Sequence, residues 1–309
     1  MKKKILDSIA VMCILTLFSG MAMASGSSSN SDGTRALTTT ENNDQGNGQQ
    51  EESTEAETEA ANDTTIEEQV LIDENGLKIT ATEYTVDPIW GDGIKLLIEN
   101  SSDSNYAIAC DALIVNDYMI FDLFSSEITA GRNANETMYL ANSELENAGI
   151  ENVGKIEIDF RIYDPDSYET LFDPDTVEIH TSNYDSMDTE VDESGVELYN
   201  SDGIRIVGKY VDEDSIWGTA ILIYVENNTD RNITVTCDTV AINNFMVTGY
   251  YYSSVYAERK AFDDITILSS DLEENNITTV ENIAVDFSII DSDTYETIAD
   301  TGEIEFSAT

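Results

Sequence analysis

Positive charge is what this chain most lacks. Only 14 Lys and Arg stand against 62 Asp and Glu, for a formal net charge of −48. Phosphate neutralisation needs clustered cations, so nucleic acid is excluded as a partner and an anionic membrane surface is disfavoured. Histidine is almost missing too. His180 is the only one, and no nucleophile context surrounds it. One imidazole cannot build a multi-histidine zinc site or, without its Ser or Cys, a hydrolytic triad. It is read as a surface residue on a terminal strand. Long apolar runs are absent beyond the N-terminus, so no membrane span is expected.

The N-terminus reads "MKKKILDSIAVMCILTLFSGMAMAS". Lys2, Lys3 and Lys4 precede an apolar run from Ile9 to Phe18, and Ala22-Met23-Ala24 forms a small-x-small cleavage site. This is the pattern of a secretory signal peptide over 1–24, cleaved after Ala24, and it implies a secreted or cell-surface protein. Residues 25–68 are dominated by Ser, Thr, Asn, Gln, Gly and Glu. Such a segment buries too little surface to offset its ordering entropy, so it is read as a disordered acidic tether.

Beyond the tether the sequence repeats itself. "IENSSDSNYAIACDALIVNDYMI" at Ile98–Ile120 is matched by "VENNTDRNITVTCDTVAINNFMV" at Val225–Val247. Trp90 and Trp217, Cys110 and Cys237, Asn116 and Asn243, and Phe160 and Phe287 all stand 127 residues apart. The chain is a tandem duplication: repeat 1 over 69–182, an acidic linker over 183–195, and repeat 2 over 196–309. Within each copy the hydrophobic period is two, as in "GLKITATEY" and "KIEIDFRIYD". Short strands rich in Ile, Val, Tyr and Thr, separated by Asn, Asp and Gly turns, predict an all-β fold. About seven strands per copy predict two tandem immunoglobulin-like antiparallel β-sandwich domains. One short helix is expected in each, where Ser143 with Glu146 and Ser270 with Glu273 have capping-box spacing. The alternation turns Cys110 and Cys237 into separate cores, which predicts two buried free thiols and no disulfide.

Candidate sites are few. Asp164 and Asp166 recur as Asp291 and Asp293. A D-x-D pair can present oxygens to Ca²⁺, but the central Gly and distal Glu of an EF-hand loop are missing. These residues are read as turn formers, with no metal and no cofactor expected. Trp90 and Trp217 sit in matching loops, as plugs over the core ends or as a contact surface. Tyr252 and Tyr256 are aromatic where the first copy has Ser125 and Thr129. Exposed tyrosines there would suit a sugar face or a protein partner; otherwise they fill strands.

The strings "IENSSD", "IVNDYMI", "ITAGR" and "IDFRIYDPDSYETL" resemble the telokin-like, immunoglobulin-type domains of unknown function in exported proteins of Gram-positive bacteria. The resemblance covers both copies and implies an extracellular location and a binding role, with no catalytic residues to carry over. The expectation is a non-enzymatic, monomeric interaction protein with an extracellular protein or cell-wall carbohydrate as partner. The alternative is a secreted inhibitor of a protease or lysozyme-like hydrolase, and a hydrolase using carboxylates alone ranks third.

Overall fold

The computed structural model describes residues 34–39, 64–121, 124–190, 192 and 194–308. The expected signal peptide lies outside them, as does most of the expected tether. The tether reading is corrected at both of its described stretches. Thr34–Thr39 forms a strand, β1, and Thr64–Ile66 holds the edge of the first repeat, with Ile66 bridging Thr181.

The first repeat contributes β2 (Gln69–Glu74), β3 (Leu77–Asp87), β4 (Gly91–Asn100), β5 (Tyr106–Val115), β6 (Tyr118–Ile120), β7 (Ser125–Ile128), β8 (Asn133–Tyr139), β9 (Lys155–Tyr163), β10 (Thr170–Phe172) and β11 (Val177–His180). Two sheets face each other, β2–β3–β4–β8 and β7–β5–β9–β11. The second repeat contributes β12 (Val196–Ser201), β13 (Ile204–Ser215), β14 (Gly218–Asn227), β15 (Ile233–Ile242), β16 (Phe245–Val247), β17 (Gly249–Tyr250), β18 (Tyr252–Val255), β19 (Arg259–Leu268), β20 (Asn282–Asp291) and β21 (Thr297–Ala308). Its sheets, β12–β13–β14–β19 and β18–β15–β20–β21, copy the first repeat strand for strand. The fold is all-β and immunoglobulin-like.

The repeated residues hold this pattern in place. Asn100 and Asn227 are fully buried, and each ties its own loop to the strand across from it. Asn227 Nδ2 donates to the Arg231 and Val255 carbonyls at 2.7 and 3.0 Å, and Asn100 donates to those of Ser104 and Ile128 at 2.8 and 3.3 Å. Asn116 with Asp117, and Asn243 with Asn244, take positive φ in two-residue hairpin turns, where Asn tolerates the left-handed region.

Two local expectations are revised. The helices Asn142–Asn147 and Ser269–Glu274 begin after Ala141 and Leu268, so Ser143 and Ser270 lie inside them and cap nothing. The first-turn acids work instead across the fold: Glu144 accepts from the Phe121 amide, and Asp271 accepts from the Thr248 amide at 2.9 Å. Cys110 and Cys237 are free and each packs against its own repeat's core, but both are only half-buried. The reason is a β-bulge in each strand, between Cys110 and Ala112 and between Cys237 and Thr239. One extra residue breaks the period of two at the cysteine itself.

The repeats are not separate beads, and Gly33–Thr309 forms one compact unit. β14 is buried on both faces. Ile221, Ile223 and Val225 enter the second core, while Leu222 and Tyr224 join Val207 and Phe262 against the first. β6 meets β19 in parallel, with Lys260 opposite Tyr118 and Ala261 opposite Met119. The Tyr118 ring stacks on Phe262 at 5.8 Å, and Phe262 meets Tyr224 at 5.1 Å. Around this apolar centre lies an ion network. Arg259 bonds Glu157 at 2.8 Å, and Lys155 reaches Glu157 at 3.1 Å and Asp117 at 2.6 Å.

Candidate interaction surface

In repeat 2 the chain from Gly249 to Val255 passes from one sheet to the other. β17 pairs with β19, and β18 pairs with β15. Tyr251 is the pivot: it is buried and packs edge-on against Phe287 at 5.8 Å. Its neighbours therefore turn outward, leaving Tyr250 50% and Tyr252 57% exposed. Beside them on β15 pairs β16, whose Phe245 and Met246 are 47% and 66% exposed. The two positions matching Phe245 and Met246 in repeat 1 are Tyr118 and Met119, the residues that β6 carries into the seam.

Tyr252 and Tyr256 thus part company. Tyr256 is half-buried, and its hydroxyl donates to Asp159 Oδ2 of the first repeat at 3.2 Å. Burial raises its pKa well above the ordinary phenol value, and the Asp159 charge adds to that. Tyr256 is a seam residue, which corrects its reading as an exposed contact.

The tryptophans are not plugs. Trp90 is 61% exposed with Ile89 beside it, and Trp217 is exposed with Ile216. The Asp87 carboxylate holds the first of these tips by accepting from the Ile89 and Trp90 amides at 2.8 and 2.9 Å, which lowers its pKa. The Trp90 ring lies tilted against Tyr139, at 6.1 Å between ring centres.

The D-x-D segments are turns. Asp164 Oδ1 accepts from the Asp166 and Ser167 amides at 3.0 and 2.8 Å, and Tyr168 follows at φ 59°. Asp291 Oδ1 accepts from the Asp293 and Thr294 amides at 3.1 and 2.8 Å, and Tyr295 follows at φ 60°. In each turn the leading carboxylate serves the backbone, and the amide bonds lower its pKa. No cluster of three or more His, Cys, Asp or Glu poised for a metal occurs among the described residues. His180 lies on β11, engages Glu178 and stacks on Tyr184 at 3.6 Å. It borders a polar cleft of about 590 Å³ with Thr65, Ile66 and Gln69.

Sequence reasoning missed Phe245 and Met246. The signal was present in the alignment of the copies: both are large apolar residues on a hairpin whose counterpart in repeat 1 docks on a neighbouring sheet.

No protein-family model matches the chain, and no curated protein matches it at a significant level. Among solved structures it is similar to the Salmonella enterica SafA pilin in complex with the SafB chaperone, at 9% identity over 67% of this chain and 86% of that one, with a TM-score of 0.21. The YadV chaperone also matches at 9% identity, over 70% of this chain and 91% of that one, again with a TM-score of 0.21. Superposition that poor says nothing about activity or partner, and the fold assignment here rests on the strand pairings themselves.

Proposed function

We propose that this chain is a non-catalytic interaction protein acting outside the cell, and that the β16–β18 face of repeat 2 is its contact surface for a protein partner. One observation carries the reading. β6, at the same place in the first repeat, is already a docking element, and it seats Tyr118 against an apolar sheet face. Its counterpart β16 offers Phe245 and Met246, with Tyr250 and Tyr252 alongside. Aromatic side chains and methionine are both enriched at the centres of protein interfaces. The leading 24 residues and the resemblance to telokin-like exported domains support the extracellular setting.

A photo-crosslinking residue at position 245 tests this in cells that make the protein. It should capture a defined protein, whereas the same probe at Asn135, on the polar face of repeat 1, should not. Phe245→Lys with Met246→Lys should abolish capture by a probe at position 252 and leave the melting temperature unchanged. Retention on purified cell wall that survives the double substitution would favour carbohydrate over protein and overturn the assignment of this face.

A further inference from the structure

Each sandwich carries an apolar side chain at the edge where its two sheets meet. In repeat 1 the chain supplies it locally, through Ile66, which bridges Thr181 and packs against the first core just before β2 begins. The position aligned with Thr181 in repeat 2 is Ala308, and the position aligned with Ile66 is Glu193. An acid cannot fill an apolar notch. The residue paired with Ala308 is instead Leu37, from the far end of the sequence.

The fit of β1 to this notch is specific. Thr34, Arg35 and Ala36 pair with Asp212, Val211 and Tyr210 of β13. Leu37, Thr38 and Thr39 pair with Ala308, Ser307 and Phe306 of β21. The strand therefore crosses from one sheet to the other between Ala36 and Leu37. Leu37 is 6% exposed, within the second core. Gly208 makes the room: a Cβ there would stand 2.8 Å from Leu37 Cδ1, and the matching residue in repeat 1 is Ala81. Arg35 closes the other side. Its guanidinium donates to the Val280 carbonyl at 2.6 Å, to the Ala308 carbonyl at 3.1 Å and to Glu213 Oε1 at 3.2 Å. Glu213 also accepts from the Val280 amide at 2.6 Å.

We propose that the cleft between β13 and β21 is a binding site for an extended peptide carrying Arg two residues before Leu, and that its ligand is Thr34–Thr39 of this same chain, held by docking rather than by the covalent connection to repeat 1. The site uses strand addition: backbone pairing supplies affinity, and the Leu notch and the Arg35 carbonyl ring supply selectivity. This goes beyond the external contact surface and does not depend on it.

The test severs the connection. A recognition site for a sequence-specific protease is inserted after Gly48 of the full chain, and the folded protein is cut. The released piece should stay with the body through size-exclusion chromatography at micromolar concentration. Leu37→Asp should weaken retention by about 10- to 100-fold, the loss expected for one buried leucine. Arg35→Ala should weaken it by less and serves as the second variant if Leu37→Asp does not fold. A labelled peptide of residues 31–42 should exchange into the cut wild-type protein. If the wild-type piece separates at once on cutting, or if both variants retain it as well as wild type does, the proposal is wrong.

Discussion

Glu144 stands in the first turn of the Asn142–Asn147 helix, facing Asp263 and Asp264 of β19 across the seam. Burial pushes its pKa up to about 8, against the pull of the Phe121 amide, and the two aspartates raise it further. Burial also lifts Asp263 to about 7, with Ser253 opposing and Asp264 adding. Both groups bind protons more tightly when folded than the ordinary carboxyl near pH 4 of an unfolded chain. Their stability is therefore fully present below about pH 4 and is lost as pH rises through 7 to 8. Urea midpoints should fall between pH 5 and pH 8.5, and Glu144→Gln should flatten that fall. Arg259 tests the seam from the other sign of charge. It is a cation bonded to the largely buried Glu157, so Arg259→Ala leaves that carboxylate with Lys155 alone. The expected loss is about 3 kcal/mol in urea unfolding, the low end for a broken buried pair because Lys155 still faces the carboxylate.

At the scale of elements, the seam is a difference between two otherwise matching faces. Val207, Leu222, Tyr224 and Phe262 of repeat 2 occupy the positions of Thr80, Lys95, Leu97 and Asn135 in repeat 1. Copying the first face onto the second, with Leu222→Lys and Phe262→Asn, should undock the repeats while leaving each sandwich core intact. A single thermal transition in the wild type should split into two in the variant, and hydrogen exchange should rise at β6 and β19. The sheets themselves were legible in the sequence, because a period of two fixes the face of every residue until a bulge intervenes. The bulges at Cys110 and Cys237 were not legible, since one inserted residue leaves the surrounding pattern unchanged. The partnership of Tyr256 with Asp159 joins residues 97 apart, which no local pattern encodes. β1 was hidden for a different reason: "TRALTT" has Leu37 as its one large apolar residue, too little to mark a strand within a Ser- and Thr-rich leader.

The whole molecule folds against its own charge. With 62 acidic and 14 basic residues, self-repulsion opposes the compact state and is screened by salt. Raising NaCl from about 20 mM to about 500 mM, across which the Debye length shrinks severalfold, should raise the melting temperature. The seam's ion network should weaken over the same range, so Arg259→Ala should show the steeper rise. Repulsion also disfavours self-association, which leaves exposed aromatics such as Phe245 and Tyr252 available to a different partner.

The pairing of Leu37 with Ala308 has a mechanical consequence. β1 and β21 are antiparallel, so the chain leaves both strands at the same end of their short ladder. Tension applied across the folded unit peels this ladder open one bond at a time, instead of shearing all its bonds together. β1 is then the first part to yield under load. Its release would come before either sandwich is strained, which makes this three-residue ladder the low-force stage of the folded unit.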